Sequence, residues 1–186
     1  IAVAVAHKFA SEGYNLQLAA RNSLKLDAVV SDLKIRYGIS VSVYELDILK
    51  YETFSDFVDS LDCLPEIALC AVGILGNQTD DEKSFSNSSL VMRTNYEGPS
   101  LILGEIANRF ETRGSGSIIG ISSVAGDRGR ASNYIYGSAK SGFTAFLSGL
   151  RNRINKFGVN VLTVSPGFVY TSMTKNLDLP NLLTAE

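Results

Sequence analysis

Two tyrosines and one lysine stand close together in SNYIYGSAKSGFTAF, residues 132–146. A tyrosine is a poor acid/base at neutral pH unless something lowers the pKa of its phenol, which is about 10 in water. Tyr136 and Lys140 are four residues apart and share one face of a helix, whereas Tyr134 is six residues from Lys140 and lies around the helix from it. The spacing therefore favours Tyr136 for proton transfer, with Lys140 as the cation that stabilises its phenolate.

The elements that position these residues follow from the apolar pattern, which predicts strands alternating with helices. Strands are predicted at 14–20, 41–46, 66–72, 116–122 and 159–164, helices at 1–12, 23–38, 51–62, 86–113 and 134–157, and a polar loop at 74–85. Nearly continuous apolar strands separated by helices indicate right-handed βαβ units and a parallel sheet covered on both faces. The predicted fold class is α/β, a Rossmann-like doubly wound parallel sheet in three layers (α/β/α).

The residues that could do chemistry resemble the motifs of the short-chain dehydrogenase/reductase family. Tyr136-Gly-Ser-Ala-Lys140 matches the family's Tyr-x-x-x-Lys, and Ser123 stands 13 residues before Tyr136, as the family's catalytic serine does. Asn95 lies in Asn-Tyr-Glu-Gly, which is similar to the family's Asn-x-x-Gly. The resemblance runs from residue 1 to about residue 175.

This resemblance implies hydride transfer between a nicotinamide coenzyme and a carbonyl or secondary alcohol. Tyr136 would be the general acid/base, and Ser123 would donate a hydrogen bond to the substrate oxygen. Lys140 would also bind the nicotinamide ribose, and Asn95 would support a water-linked proton relay to it. Each residue also has a structural interpretation: Ser123 could be a local cap and Asn95 a surface residue. Tyr134 is assigned to packing, with the substrate mouth as the alternative.

Arg21 favours NADP(H) over NAD(H). It directly follows a strand whose end faces the adenosine ribose in this fold. The position of a hydroxyl-binding Asp or Glu holds Ala20, and the planar guanidinium of Arg21 suits a phosphate; a solvated surface arginine is the alternative. Asp47 and Ile48 resemble the family's adenine-contacting pair, although Asp47 could equally cap the next helix or its entry turn.

The resemblance assigns further coenzyme contacts, besides Tyr136 and Lys140, to small or turn-forming residues after two strands. These are Ala71, Val72, Gly73, Pro166, Gly167, Val169 and Thr171, the last four within a match to the family's Pro-Gly-x-x-x-Thr. Where the family has Asn-Asn-Ala-Gly, this chain has Cys-Ala-Val-Gly at 70–73, so the bracing amides must come from elsewhere. Cys70 is expected to be a small buried hydrophobe.

The chain opens on a helix, and no GxGxxG occurs in it, although such a turn precedes this helix in dinucleotide-binding folds. We therefore expect residues 1–186 to form one NAD(P)-binding domain that lacks its first strand and, since the chain stops soon after the last strand, a C-terminal segment. In the family, substrate choice lies in the loop after Pro-Gly and beyond, here residues 168–186.

Composition and charge limit the partners. The formal net charge is −2 and no basic stripe stands out, which excludes nucleic acid as the main partner. Cys63 and Cys70 form no CxxC pair and no metal-ligand cluster, and two thiols indicate a reducing, cytoplasmic compartment. No stretch reaches the roughly 18 apolar residues of a membrane span. A small-molecule carbonyl or alcohol is the expected partner.

A second copy of the chain is the other expected partner. The family forms dimers, which commonly pair into tetramers, through the two long helices, here 86–113 and 134–157. Phe143, Phe146 and Leu147 are not expected all to face one sheet, which supports an interface; that these helices only cover the core is the alternative.

Two other functions stay open. One is an epimerase or dehydratase that uses the coenzyme transiently, and the other is a non-catalytic coenzyme-binding sensor or an inactive fragment. Within the family, residues 123–142 look similar to the reductase subunit that acts on the keto intermediate of decaprenylphosphoryl-ribose epimerisation. A keto-sugar or keto-lipid substrate is therefore one hypothesis.

Overall fold

The computed structural model describes residues 1–171, 173 and 174, in which strands and helices alternate as predicted. The strands are β1 (Leu16–Ala20), β2 (Val41–Glu45), β3 (Ile67–Cys70), β4 (Gly116–Ile121) and β5 (Val159–Val164). The helices are α1 (Ala2–Ser11), α2 (Asp27–Tyr37), α3 (Phe54–Asp59), α4 (Gln78–Asp81), α5 (Phe85–Met92), α6 (Gly98–Arg113) and α7 (Tyr134–Ile154). The substrate loop predicted at 168–186 falls largely on 172 and 175–186, outside the described residues.

The strands pair in parallel, which confirms the predicted arrangement, and they divide into two hydrogen-bonded groups. β1 pairs with β2 from Leu16, opposite Val41, to Ala20, opposite Glu45. β4 lies between β3 and β5 and pairs with both. The sequence predicts one sheet; within the described residues, β1 and β3 belong to different sheets.

A side-chain network connects the two sheets. Gln17 on β1 donates from Nε2 to the carbonyl of Cys63 at 2.9 Å, and its Oε1 accepts from the Tyr44 hydroxyl at 3.1 Å. The amide of Asp62 donates to the Tyr44 hydroxyl at 2.8 Å and to Gln17 Oε1 at 3.1 Å. Because Asp62 and Cys63 lead into β3, this network ties the β1–β2 pair to the larger sheet.

Two apolar clusters follow the two sheets. The larger packs α3, α6 and α7 against β3, β4 and β5, and the smaller joins α1 and α2 to β1 and β2. Phe143 and Leu147 are buried in the larger cluster, and Phe146 packs against it. Phe146 is only partly buried and lies beside Gly104 of α6, so the expectation that these three residues do not all face one sheet stays a prediction.

The helix predicted at 86–113 consists of three helical pieces. A π-helical turn, Arg93–Glu97, separates α5 from α6. Asn95 lies in this turn, and its Nδ2 donates to the carbonyl of Val91 at 2.8 Å, which competes with the backbone for that acceptor. This competition favours the wider turn.

Two further segments differ from prediction. The loop predicted at 74–85 contains the short helix α4, which begins where the side chain of Asn77 accepts from the amide of Thr79 at 3.1 Å. The helix predicted at 51–62 is a 3-10 turn, Tyr51–Thr53, followed by the six residues of α3.

Candidate active site

The carboxyl ends of β3, β4 and β5 open into one cleft of about 980 Å³. Because these strands are parallel and adjacent, the segments that follow them meet at one edge of the sheet. Most of the predicted site residues line this cleft: Ala71, Val72, Gly73, Ser123, Tyr136, Lys140, Pro166, Gly167, Val169 and Thr171. The topology thus gathers residues that are far apart in the chain.

Ser123 leaves β4 in an extended conformation and starts the 3-10 turn Val124–Gly126. Its Oγ accepts from the amide of Ala125 at 3.1 Å, so the local capping role left open by the sequence is present. This contact uses an oxygen lone pair and leaves the hydroxyl hydrogen free to donate into the cleft.

Helix α7 brings Tyr136 to Ser123 through a close backbone approach. A Cβ atom at Gly137 would lie 2.6 Å from the carbonyl oxygen of Ala125, and one at Gly126 would lie 2.8 Å from the amide nitrogen of Ser141. Larger residues at either position would push α7 away from the turn that follows Ser123. Tyr136, directly before Gly137, is partly buried in the cleft wall.

Lys140 is buried, with 4% of its surface exposed. Its Nζ donates to the carbonyl of Ile121 at 3.0 Å and lies 5.9 Å from the centre of the Tyr136 ring. Burial lowers the pKa of Lys140 to about 8, and the thiol of Cys70, when ionised, opposes that shift. Cys70 itself is buried, as predicted, and burial raises the pKa of its thiol.

The pKa of Tyr136 moves opposite to the sequence-based expectation. Burial raises the pKa of the phenol above its usual value, and the nearby hydroxyl of Ser123 only partly opposes this rise. The expected lowering by Lys140 does not prevail, because the ammonium lies near the ring and donates to Ile121. The phenol of the coenzyme-free protein is therefore protonated at neutral pH.

Asn95 lies beneath the cleft and is fully buried, so its interpretation as a surface residue is wrong. Its Oδ1 accepts from the amide of Ile74 at 3.2 Å, and its Nδ2 donates to the carbonyl of Ile74 at 2.7 Å. A Cβ atom at Gly73 would lie 2.6 Å from Asn95 Oδ1 and 3.4 Å from Lys140 Nζ. Asn95 thus braces the segment after β3, where this chain lacks the family's Asn-Asn pair.

Three predicted coenzyme contacts lie away from this cleft. Arg21 is exposed directly after β1. Asp47 accepts from the amide of Leu49 at 3.0 Å, so the alternative of a cap on the entry turn is present. Ile48 is buried in the larger apolar cluster. All three follow β1 or β2, at the carboxyl ends of the smaller sheet.

Helix α4 forms a part of the cleft wall that the sequence pattern did not predict. Gln78 and Glu82 line the cleft from a segment predicted as a loop. Asn77 as an N-cap, followed by acidic residues in the first turn, was a signal that could have identified this helix. Tyr134 contacts the same segment, since its hydroxyl donates to Glu82 Oε2 at 3.4 Å, and 46% of its surface is exposed.

The donors and shape of the cleft fit a nicotinamide coenzyme. The absence of a side chain at Gly73 allows the segment after β3 to pack closely against Asn95 Oδ1 and Lys140 Nζ at the cleft. Lys140, Tyr136 and Ser123 present hydrogen-bonding groups suited to ribose hydroxyls and a carbonyl oxygen. Within the described residues, no group of His, Cys, Asp and Glu could hold a metal ion, and no helix is long and apolar enough to cross a membrane.

Comparison with known proteins agrees with this architecture. The family model described as short chain dehydrogenase matches residues 1–181. The chain is 35% identical over 170 residues to an uncharacterised oxidoreductase of Mycobacterium tuberculosis, covering 89% of this chain and 68% of that protein. It is 26% identical over 178 residues to a 3-oxoacyl-[acyl-carrier-protein] reductase of Aquifex aeolicus, covering 92% of this chain and 70% of that protein.

The fold is shared with a solved short-chain dehydrogenase from Sphingobium yanoikuyae in complex with NADPH. The TM-score is 0.89, with 98% of this chain and 74% of that chain covered and 22% sequence identity. Parallel strands, flanking helices and a cleft at the strand ends define a Rossmann-like fold, which confirms the predicted fold class. The chain belongs to the short-chain dehydrogenase/reductase family.

Proposed function

We propose that this oxidoreductase transfers hydride between a nicotinamide coenzyme, NADP(H) in preference to NAD(H), and a carbonyl or secondary alcohol. Tyr136 is the general acid/base. The observation that carries the proposal is the meeting of Ser123, Tyr136 and Lys140 in one cleft, although they come from a strand end and from a separate helix.

Tyr136 donates its phenolic proton to the substrate oxygen when a carbonyl is reduced. Its raised pKa keeps the phenol protonated before the reaction. Ser123 donates its hydroxyl hydrogen to the same oxygen, while its contact with the amide of Ala125 holds the side chain in place. A bound nicotinamide coenzyme supplies or accepts the hydride.

Lys140 stabilises the phenolate that forms on Tyr136. With a pKa of about 8, its side chain is mostly an ammonium at neutral pH, and the bond to Ile121 fixes its position. Its two other N–H groups are available to the nicotinamide ribose. We assign to Asn95 the support of a water-linked proton relay, since Asn95 Oδ1 and Lys140 Nζ both lie beside Gly73.

Arg21 supports the preference for NADP(H), because it is exposed at the end of β1, where Ala20 provides no carboxylate. Asp47 and Ile48, after the neighbouring strand, are assigned to the adenine. One contact works against this preference, because it places a carboxylate beside the residues that follow β1: Glu45 Oε2 accepts from the amide of Ser23 at 3.0 Å.

Arg21→Ala should weaken NADPH binding about ten-fold, measured by fluorescence titration, with little effect on NADH. Equal weakening of both would contradict the preference.

The two cysteines and the exposed apolar residues of the helices bear on compartment and assembly. Cys63 and Cys70 are both free thiols, which supports a cytoplasmic location. Leu90 on α5, Tyr96 on the π turn and Leu101 on α6 expose apolar surface, which supports a homodimer or homotetramer through these helices and α7. Light scattering on the purified protein tests this assembly, and a monomer at micromolar concentration would exclude it. We also propose that residues 1–186 form one coenzyme-binding domain.

The experiment that tests the function measures NADPH oxidation by the purified protein with a panel of carbonyls, including a 3-oxoacyl thioester and a keto-sugar. One coenzyme consumed per carbonyl reduced supports the oxidoreductase and excludes an epimerase. Product formed without net coenzyme consumption would favour the epimerase, and coenzyme binding without product from any carbonyl would favour a sensor.

A further inference from the structure

The first turn of α7 carries Tyr136, and its own N-cap residue does not cap it. Asn133 occupies the N-cap position but makes no side-chain bond to the turn, and its Oδ1 is buried without a hydrogen-bond partner. The first amides of a helix have no partners within the helix and need acceptors from outside. The acceptor for this turn must therefore come from another part of the chain.

Gln78 supplies it from α4. Its Oε1 accepts from the amide of Ile135 at 3.2 Å, across 57 positions of sequence. Ile135 directly precedes Tyr136 and is itself 4% exposed, so this bond lies where the helix enters the protein. The bond connects the α4 wall of the cleft to the residue before the proposed general acid.

The orientation of the Gln78 amide is set by its second contact. Nε2 of Gln78 donates to Glu82 Oε2 at 3.4 Å, and an ionised carboxylate can only accept. The amide oxygen must therefore point to Ile135. Tyr134 adds only an exposed contact to Glu82, whereas the bond to Ile135 is partly buried, so Gln78 provides the stronger connection.

The segment that presents Gln78 is itself held in place. Asn77 accepts from the amide of Thr79 and starts α4 immediately before Gln78. At the other end of this helix, Asp81 is 6% exposed, and its backbone carbonyl accepts from the hydroxyl of Ser88 on α5. Gln78 is thus a fixed acceptor and not a mobile surface side chain.

We propose that Gln78 is a positioning residue: its side-chain oxygen fixes the first turn of α7 and thereby holds Tyr136 against Ser123. This inference rests on the proposed function of Tyr136. Small displacements of a catalytic group are costly, since a misplacement of about 1 Å can lower the rate about 100-fold. Gln78 acts through the helix and does not itself touch the reacting atoms.

The test uses three variants of the purified protein. Gln78→Met removes the amide but keeps the length of the side chain. The double variant Gln78→Glu/Glu82→Gln keeps both bonds: the new carboxylate at 78 accepts from the amide of Ile135, and the new amide at 82 donates to that carboxylate. Ser84→Ala is the matched control, because it removes a comparable cap at the start of α5, where Ser84 Oγ accepts from the amide of Asn87.

Hydrogen exchange of the Ile135 amide needs no substrate and reports the bond directly. We expect the Ile135 amide to exchange about ten-fold faster in Gln78→Met, at nearly the parental rate in the double variant, and at an unchanged rate in Ser84→Ala. Unchanged exchange in Gln78→Met would overturn the proposal.

Turnover of 2,3-butanedione with NADPH reports the catalytic consequence. Gln78→Met should lower kcat about ten-fold with little change in the KM for NADPH, and the double variant should recover most of the lost kcat. A kcat unaffected by Gln78→Met overturns the proposal if Tyr136→Phe abolishes turnover. If Tyr136→Phe retains full turnover, the proposed function of Tyr136 fails instead, and so does the role of Gln78 in it.

Discussion

At the scale of single residues, Tyr134 and Tyr136 differ in their surroundings and not in their chemistry. Tyr136 lines the cleft with Ser123 and has the buried Lys140 one helical turn away. Tyr134 is 46% exposed, and its hydroxyl contacts Glu82 on the neighbouring segment. Their positions therefore predict different effects of the same substitution.

Tyr136→Phe should lower kcat by about 100-fold or more, because it removes the proton donor while keeping the ring. NADPH affinity, measured by fluorescence titration, should change little. Tyr134→Phe is the matched control, since it loses only an exposed hydrogen bond, and its kcat should stay near that of the parent. Equal kcat values for the two variants would contradict the assignment.

The buried Lys140 makes stability depend on pH in the coenzyme-free protein. Its pKa is about 8 in the folded state, against 10.5 without burial. Between these values the unfolded chain binds more protons than the folded one, so the free energy of unfolding should rise with pH above about 8. Above about pH 9 the raised pKa of the Cys70 thiol acts in the opposite direction, and above about pH 10 so does the raised pKa of Tyr136.

Urea titrations between about pH 8 and 9 can measure this rise. In Lys140→Met the rise should be absent over that range, because no buried amine remains to titrate. A rise of the same size in parent and variant would show that other groups cause it.

At the scale of elements, the site depends on how closely α7 approaches the turn after β4. Gly137 and Gly126 permit this approach, and Gly73 permits a similar one between the segment after β3 and Asn95. Gly149, farther along α7, permits no such close approach, because a Cβ atom there would meet nothing within 4 Å.

Gly137→Ala should destabilise the protein by about 1–3 kcal/mol, because the new methyl group strikes the carbonyl of Ala125. It should also lower kcat by moving Tyr136 away from Ser123. Gly149→Ala, in the same helix, should instead stabilise the protein by about 0.5–1 kcal/mol with unchanged kcat. Thermal unfolding and initial rates measure both effects, and similar losses in the two variants would refute the argument from close approach.

Elements and motifs were predictable from the sequence where a period or a spacing determines them. The alternation of strands and helices, the bounds of β5 and the shared face of Tyr136 and Lys140 are of this kind. The π turn at Asn95 was not predictable, since it accompanies a side-chain bond from Asn95 to the carbonyl of Val91 that the apolar period does not report. The direction of the Tyr136 pKa shift was also missed, because it depends on burial, which four-residue spacing does not report.

At the scale of the whole molecule, polar side chains, and not strand pairing, connect the two sheets across the described residues. Tyr44 is central to this connection, because its hydroxyl both accepts from the amide of Asp62 and donates to Gln17. Burial raises the pKa of Tyr44, which keeps its hydroxyl protonated and able to donate.

Tyr44→Phe should lower the free energy of unfolding by about 0.5–1.5 kcal/mol, since the amide of Asp62 and Gln17 each lose one partner while keeping their bond to each other. Tyr51→Phe is the control, because its ring is 57% exposed, and it should change stability by less than about 0.5 kcal/mol. Urea denaturation of the two variants distinguishes them; equal midpoints would show that the network contributes nothing.

The separation of the two apolar clusters has a consequence for the order in which the molecule opens. The unit of α1, β1, α2 and β2 has a small core of four buried residues, Ala6, Ala10, Leu33 and Val41, whereas α6, α7 and β3–β5 share a much larger one. Cooperative units with less buried apolar surface open at lower free energy. Amide exchange should therefore be faster in β1 and β2 than in β4, so that the adenosine-binding half proposed for this protein would unfold locally while the catalytic half stays closed.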